Sequence, residues 1–195
     1  MINAVGREIP EEVLKAIGKE AFKGAYAYDN YEYTKAAPKA HTMMDPKRSK
    51  IVESIHDALV KCEIKDGMTI SFHHHFREGD YIVNMVMEEI HKMGIKDITI
   101  CASSLGKAHD PIVPMIEDGT VTGIRSSGVR GKIGEAISAG KLKNLAVMCS
   151  HGGRVRAVES GEVHIDIAFI GAPTCDEYGN LRANGGKSDC GVLSY

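Results

Sequence analysis

Histidine and arginine side chains are concentrated in two short stretches of the chain. His73, His74 and His75 are consecutive and are followed by Arg77, and His151 lies in the stretch Ser-His-Gly-Gly-Arg. Imidazole and guanidinium groups donate hydrogen bonds to anions, and a guanidinium can hold a carboxylate with two parallel bonds. The two stretches therefore predict a site for a negatively charged substrate, in which the histidines also stabilise an oxyanion that develops during a reaction.

The same histidines could instead bind a metal ion. Along an extended segment His73 and His75 point to one face and His74 points to the other, so the triplet offers at most two ligands together. His151 could add a third ligand, but the acidic partner of the common zinc motifs is missing from this pattern. Anion binding is the favoured interpretation, and we expect no bound metal.

A glycine-spaced turn, Ser126-Ser127-Gly128-Val129-Arg130-Gly131, is a further candidate for anion binding. Free backbone N–H groups at a helix start attract anions, and Arg130 lies beside them. The turn matches neither the phosphate-binding P-loop nor the dinucleotide fingerprint. We expect it to hold a carboxylate or a phosphate, and the stretch Ser150-His151-Gly152-Gly153-Arg154 repeats the arrangement one strand later.

Strands and helices alternate from about residue 68 onward. Short apolar segments predict strands that start near residues 68, 98, 121, 145 and 165, and each interval contains a helix-like segment. Further helices are predicted at residues 81–93, 110–119, 129–139 and 155–159. This alternation is typical of βαβ units, so the sequence predicts an α/β fold with an open, mainly parallel sheet and helices on both faces.

In such a sheet, the residues that directly follow the strands gather at one edge, where ligands bind. We therefore expect these residues to share one pocket, although turn residues are common at strand ends whether or not a ligand binds there. The residues predicted to bind substrate are His73, Arg77, Ser103, Ser104, Ser127, Gly128, Arg130, Ser150, Gly152, Gly153 and Arg154. The residues predicted to act in catalysis are His74, His75 and His151.

Residues 1–46 have a pattern of their own. A helix is predicted from Pro10 to Phe22, and the tyrosine-rich segment 24–33 is predicted to form an extended arm or cover. A regular pattern begins at Asp45, where a helix is expected to start, with one apolar face made by Ile51, Ile55, Leu59 and Cys62. The sequence thus predicts an N-terminal arm over 1–46 and an α/β domain over 47–195.

The composition excludes several classes of protein. The 195 residues include 24 basic and 26 acidic side chains, so no basic field for nucleic acid is evident. The sequence contains neither a secretory signal pattern at its start nor an apolar run of about 18 residues, so no membrane association is expected. The five cysteines are widely spaced and lack C-x-x-C pairs, which predicts reduced thiols and a cytoplasmic location.

Four motifs together resemble one family. They are Phe72–Asp80, the turn Ser126–Gly131, the stretch Ser150–Arg154 and the segment Asp176–Asn180. They resemble the alpha subunit of citrate lyase, the citrate CoA-transferase. The resemblance covers essentially the whole chain, but the chain corresponds only to the N-terminal part of that longer subunit. We therefore expect the first CoA-transferase-like domain, cut short at its C-terminus.

The resemblance implies an acyl exchange in the cytoplasm, in which an acetyl thioester and citrate give a citryl thioester and acetate through a mixed anhydride. It implies no tightly bound cofactor. The thiol belongs to a CoA-like prosthetic group on an acyl carrier (gamma) subunit, and a lyase (beta) subunit cleaves the product. A homo-oligomer is also implied. Arg77, Arg130 and Arg154 are expected to hold citrate carboxylates, and Asn184, Gly185 and Gly186 are expected to cover the carrier arm.

Other functions remain open at this stage. The chain could be a non-catalytic domain that binds a CoA-like arm or assembles with lyase partners. It could also be a sugar-phosphate isomerase or deaminase on a related fold, which rests on fold analogy alone. The sequence does not distinguish citrate from citramalate as the substrate. It also does not show which histidine of the triplet faces the ligand.

Overall fold

The structure is a computed structural model of the chain, and it describes residues 1–23, 48–73 and 81–186. The chain forms two compact units, Met1–Thr34 and Lys35–Tyr195. The predicted domain boundary at residue 46 and the tyrosine-rich segment 24–33 lie outside the described residues. Both stay predictions.

The first unit contains one short helix. Helix α1 (Glu11–Ile17) begins after Pro10, and Glu11 and Glu12 lie in its first turn, where carboxylates favour the positive end of the helix dipole. It ends at Gly18, which adopts a left-handed conformation with φ of 61°. The predicted helix to Phe22 is therefore too long, because glycine accepts this conformation readily and ends the helix there.

Five strands of the second unit form one parallel sheet. They are β1 (Thr69–His73), β2 (Ile98–Ala102), β3 (Val121–Ser126), β4 (Ala146–Met148) and β5 (Ile167–Ile170). Their order in the sheet is β4-β3-β2-β1-β5, and every neighbouring pair is parallel. The chain thus moves outward from β1 to β4 and returns to the other side of β1, and the predicted α/β fold is confirmed.

One face of the sheet carries the main core. The helical elements that pack on it are α2 (Ile55–Lys61), α3 (Ile82–Lys92), a 3-10 helix (Lys107–Ile112), α4 (Val113–Glu117) and α5 (Gly131–Ser138). Helix α3 contributes four residues on one face, Val83, Val86, Met87 and Ile90, all fully buried. Burial of a side chain of this size stabilises by about 1.5–3 kcal/mol, so this face anchors the sheet.

The opposite face of the sheet is covered by a single described helix, α6 (His151–Glu159). Because the connection from β4 to β5 runs back across β1, a right-handed crossover places its helix on the other side from α2–α5. Ala157 of α6 packs with Cys101 of β2 and with Val163. Helices therefore lie on both faces, as the sequence predicted, but unequally.

Two helices begin later in the sequence than the patterns predicted. Helix α2 starts at Ile55 rather than near Asp45, because the Ser54 hydroxyl caps it by accepting a hydrogen bond from Asp57 N–H. Ile51, assigned to its apolar face, is exposed and not helical. Helix α5 starts at Gly131 rather than 129, because Val129 pairs with Leu105 in a parallel bridge.

Helix α6 begins earlier than predicted, at His151 rather than Val155. Gly152 and Gly153 have low helix propensity, which hid the first turn in the sequence pattern. Ser150 compensates, since its hydroxyl accepts a hydrogen bond from Gly153 N–H at 3.0 Å.

A small antiparallel hairpin follows the sheet. It consists of β6 (Thr174–Cys175) and β7 (Leu181–Arg182). Asp176 closes its turn by accepting hydrogen bonds from the backbone N–H of Tyr178 and Asn180 and from the Asn180 side chain. These bonds, led by that of the Asn180 side chain, lower the pKa of Asp176. The Asp176–Asn180 motif is thus a turn closed by its own hydrogen bonds, and Lys50 N–H also donates to the Glu177 carbonyl at 2.7 Å.

Neither a spanning helix nor a disulfide is present in the described part of the chain. The longest described helix, α3, has 11 residues, and no described helix is long and apolar enough to cross a membrane. The cysteines at positions 62, 101, 149 and 175 are free thiols. Cys62 and Cys175 are exposed, Cys149 is half-buried and Cys101 is buried.

Candidate functional site

The predicted substrate-binding segments that the structure describes lie at one edge of the sheet. His73 is the last residue of β1, Ser103 follows β2, Ser127 follows β3 and Ser150 follows β4 after one residue. All four strands are parallel, so these residues share the carboxyl-terminal edge. His74, His75 and Arg77 lie outside the described residues, and their roles stay predictions.

The segments after β2 and β3 remain bonded to each other beyond the ends of the strands. Ser127 donates its backbone N–H, and also its hydroxyl, to the Ser103 carbonyl oxygen. Leu105 N–H donates to the Gly128 carbonyl at 2.9 Å, and Arg130 N–H donates to the Leu105 carbonyl at 2.9 Å. The predicted serine and glycine residues therefore lie side by side, on a rigid extension of the sheet.

The strand order reverses between β1 and β5, and this reversal is where open α/β sheets form a ligand crevice. His73 pairs in register with Ile170 at this position, and its side chain is buried. Beneath it, the rings of Phe72 and Phe169 stack with centroids 5.6 Å apart. The buried His73 side chain therefore lies at the edge of the sheet where the strand order reverses.

The turn after β3 differs from the prediction in one respect. Its backbone N–H groups were expected to be free for an anion, but the groups of Ser127, Gly128, Arg130 and Lys132 all donate within the domain. Lys132 N–H, in the first turn of α5, donates to the Asp110 carboxylate at 2.8 Å. The expectation of free N–H groups at these four positions is therefore wrong, because protein oxygens already occupy them.

Gly131 shows how tightly Asp110 is packed against this turn. Gly131 has φ of 69°, and a Cβ atom there would lie 2.5 Å from Asp110 Oδ1 and 3.2 Å from the Lys107 Cα. The glycine is thus required by the close approach of the 3-10 helix. Sequence patterns do not predict that Asp110 accepts from the first turn of α5, since Asp110-Pro111 resembles a helix start of its own.

The side chain of Arg130 remains exposed beside this turn. Its backbone is extended, with φ of −134° and ψ of 172°, and the recorded bond to Leu105 involves only its N–H. The guanidinium therefore stands at the carboxyl-terminal edge without a structural task among the described contacts. This is the arrangement required of a cation that binds a carboxylate from solution.

The start of α6 is the second exposed feature of the edge. His151 and Gly152 are its first two residues, both are exposed, and a Cβ atom at Gly152 would meet nothing within 4 Å. Ser150 uses its hydroxyl for Gly153 N–H and its carbonyl for Arg154 N–H. The open space over Gly152 lets a ligand approach the backbone closely at the positive end of the helix.

Arg154, one turn into α6, has a different position from the one predicted. It is buried, and its Nη2 donates to the Ser71 hydroxyl at 2.7 Å and to the Cys101 carbonyl at 3.3 Å. These bonds tie α6 to β1 and β2 and leave only part of the guanidinium for a ligand. The sequence held no signal for Ser71 as its partner, since a serine inside an apolar strand has no distinctive pattern.

Asn184, Gly185 and Gly186 lie after the hairpin and are exposed. A Cβ atom at Gly186 would lie 2.7 Å from the Pro173 Cβ, and Thr174 donates its hydroxyl to the Asn184 carbonyl. Packing against the chain itself thus explains the glycine at 186. The segment is open to a carrier arm but is not a preformed cradle for one.

No metal centre is evident in residues 1–23, 48–73 and 81–186, where no three His, Cys, Asp or Glu side chains are grouped to hold an ion. A site that uses His75 lies outside these ranges. The charged groups described at the carboxyl-terminal edge are instead suited to anions, because Arg130 and the start of α6 both present positive potential there.

Comparison with known proteins identifies the family. The profile described as "Citrate lyase, alpha subunit (CitF)" matches residues 48–195. The chain belongs to the citrate lyase alpha-subunit family. It is 49% identical over 161 residues to the citrate lyase alpha chain of Haemophilus influenzae and 46% identical over 162 residues to that of Klebsiella pneumoniae. These alignments cover 82% and 83% of the chain, but 32% of each relative, so the chain spans about a third of their length.

The fold is also that of a solved member of the family. A Streptococcus mutans protein assigned as the alpha subunit of citrate lyase, crystallised in complex with citrate, is 46% identical to this chain and superimposes with a TM-score of 0.83. The match covers 99% of this chain and 37% of that protein. The resemblance drawn from the sequence motifs is confirmed.

Proposed function

We propose that this chain forms part of the acyl-exchange site of citrate lyase, at which an acetyl thioester and citrate are converted into a citryl thioester and acetate. The observation that carries the proposal is the exposed Arg130, which lies at the same edge of the sheet as the start of α6. The chain that forms this sheet belongs to the citrate lyase alpha-subunit family. The S. mutans relative was crystallised with citrate, which supports citrate as the acid.

The chemistry requires both charge neutralisation and oxyanion stabilisation. A citrate carboxylate oxygen attacks the thioester carbonyl, the C–S bond breaks, and a mixed anhydride of the two acids forms with release of the thiolate. The thiolate then attacks the citryl carbonyl, and acetate leaves. Each attack places negative charge on a carbonyl oxygen, and one well-placed donor there is worth about 2.7–4 kcal/mol.

Two described groups are suited to these tasks. Arg130 would hold a citrate carboxylate with two hydrogen bonds, because its guanidinium is exposed and its backbone is fixed by Leu105. His151 and the start of α6 would donate to the developing oxyanion, with Gly152 leaving room for the substrate. At the same edge, His73 and Arg77 would help to bind the substrate, and His74 and His75 would act in catalysis.

The acyl group would be presented by a CoA-like prosthetic group on an acyl carrier subunit, whose thiol forms the thioester. The exposed segment Asn184–Gly186 would contact this arm at its surface. A lyase subunit would then cleave the citryl thioester. Since the described residues form no enclosed cradle at this segment, we expect the arm to bind reversibly.

The test is an exchange assay with a chimera. This chain replaces the matching segment of the Escherichia coli citrate lyase alpha chain, to which it is 49% identical over 146 residues. We expect the chimera to release acetate from acetylated carrier only when citrate is present, and we expect the chain alone to bind citrate without release. A folded chimera that shows no citrate-dependent release of acetate would contradict the proposed exchange. Turnover of a sugar phosphate would favour the isomerase or deaminase alternative instead.

A further inference from the structure

A cavity of about 80 Å³ lies between α6 and the face of the sheet that α6 covers. Its walls include Cys101 of β2, Arg125 of β3, Cys149 after β4, and Arg154 of α6. The cavity lies under the start of α6, since Cys149, Gly153 and Arg154 line it, and Arg130 is not among its walls. The proposed exchange assigns no role to the cavity. What this cavity could bind is therefore a separate question.

Arg154 is a wall residue of this cavity and has one unused donor among the described contacts. Its side chain is buried, with the residue 7% exposed, and Nη2 is bonded to Ser71 and Cys101. Within the part of the chain that the structure describes, Nη1 is buried and has no hydrogen-bond partner. A buried cationic donor without an acceptor is costly, so an acceptor that enters the cavity is bound favourably.

The charges around the cavity point to an anion as that acceptor. Arg125, Arg154 and Arg156 contribute three positive charges, and Glu162 contributes one negative charge. Glu162 is shared between Arg156, which it contacts closely, and Arg125 at 4.0 Å. Burial raises the pKa of the Cys101 thiol, although Arg154 lowers it in part, so that thiol is neutral and adds no negative charge.

The size of the cavity selects a small anion. A cavity of about 80 Å³ is small, which favours a two-carbon carboxylate over a tricarboxylate. The cavity is also lined by apolar side chains, which include Val147, Ala157 and Val163. An apolar wall suits a methyl group better than a fourth phosphate oxygen.

We propose that this cavity is a binding site for a small monocarboxylate such as acetate, with a carboxylate oxygen accepting a hydrogen bond from Arg154 Nη1 and the methyl group against the apolar wall. The site stands without the proposed exchange, although acetate is the acid which that exchange would release. Its test involves no turnover, so the two proposals can fail independently.

The test compares two alkylating reagents of equal size, iodoacetate and iodoacetamide, on the intact chain. In both reactions a cysteine thiolate attacks the CH₂ carbon, the S–C bond forms and iodide leaves. Cys149 is a half-buried wall residue of the cavity, and the exposed Cys62 at the end of α2 serves as the internal reference. Peptide mass spectrometry gives a rate for each cysteine.

We expect the ratio of iodoacetate to iodoacetamide rates at Cys149 to exceed that at Cys62 by about tenfold, since a hydrogen bond to a charged group is worth at least such a factor. Acetate, but not chloride at equal ionic strength, should abolish the excess. Equal ratios at the two cysteines, or an excess that acetate leaves unchanged, would overturn the proposal.

Three variants localise the effect. Arg154→Met should remove the preference for iodoacetate. Arg125→Gln should reduce it without disturbing α6, since the ion pair described for Arg125 is a long one, at 4.0 Å to Glu162. Lys143→Gln is the matched control, because it removes one exposed positive charge outside this cavity. Broadening of the ¹³C-acetate resonance by the wild-type chain is a second measurement, and its absence would also overturn the proposal.

Discussion

Replacement of Arg130 by alanine is expected to lower citrate-dependent exchange in the chimera by about 100- to 1,000-fold while leaving the fold intact. A bidentate pair between a guanidinium and a carboxylate contributes about 3–4 kcal/mol, which corresponds to that range of rates. The fold should survive, because the side chain is exposed and the backbone N–H that bonds to Leu105 is retained in alanine. Exchange rates and thermal unfolding of the same preparations measure both effects.

Two further variants make this experiment specific. Arg130→Lys keeps the positive charge but loses the planar pair of donors, so we expect it to recover only part of the activity. Arg182→Ala removes an exposed arginine from β7 and should leave exchange near the wild-type rate. If Arg130→Ala exchanges citrate at the wild-type rate, the carboxylate contact assigned to this side chain does not exist.

Replacement of Phe72 by alanine is expected to lower the free energy of unfolding of the α/β unit by about 3–5 kcal/mol, the usual loss for a buried phenylalanine. Phe72 is fully buried, and its ring stacks on that of Phe169. Among the described strands, the edge strand β5 pairs with β1 alone. The stack therefore joins β5 to the rest of the sheet, beside the buried in-register pair Ile70 and Ile167. A loss of this size is a large share of a typical stability of about 5–15 kcal/mol.

Chemical denaturation with urea measures this change. Phe72→Leu is the matched variant, and it should cost about a third as much, because most of the apolar volume is kept. Ile170→Ala lies on the same pair of strands but at an exposed position, and we expect little change from it. A Phe72→Ala chain as stable as the Ile170→Ala chain would show that the stacked pair does not hold β5.

The sheet and its edge could be predicted from the sequence for a clear physical reason. Parallel strands buried by helices leave short apolar runs at regular intervals, and the buried stripe of α3 has a simple helical period. Once the strands are parallel, the residues after them must share an edge. The placement of His73, Ser103, Ser127 and Ser150 follows from topology alone and needs no side-chain geometry.

The use of individual polar groups could not be predicted in the same way. Lys132 N–H donates a hydrogen bond to Asp110, which lies 22 residues earlier in the 3-10 helix. Arg154 donates one to Ser71, which lies 83 residues earlier. Such long-range pairings leave no local pattern. The N–H groups of the glycine turn therefore looked free in sequence, and the burial of Arg154, which was predicted to hold a citrate carboxylate, could not be foreseen.

Citrate is proposed to bind this chain at the carboxyl-terminal edge of the sheet. Hydrogen–deuterium exchange of the chimera, with and without citrate, tests it directly. The account predicts slower exchange in peptides that cover residues 126–132 and 149–154, and no change in peptides around residues 95–97 and 118–120 at the opposite edge. Protection confined to the opposite edge, or none at the Arg130 turn and the start of α6, would contradict it.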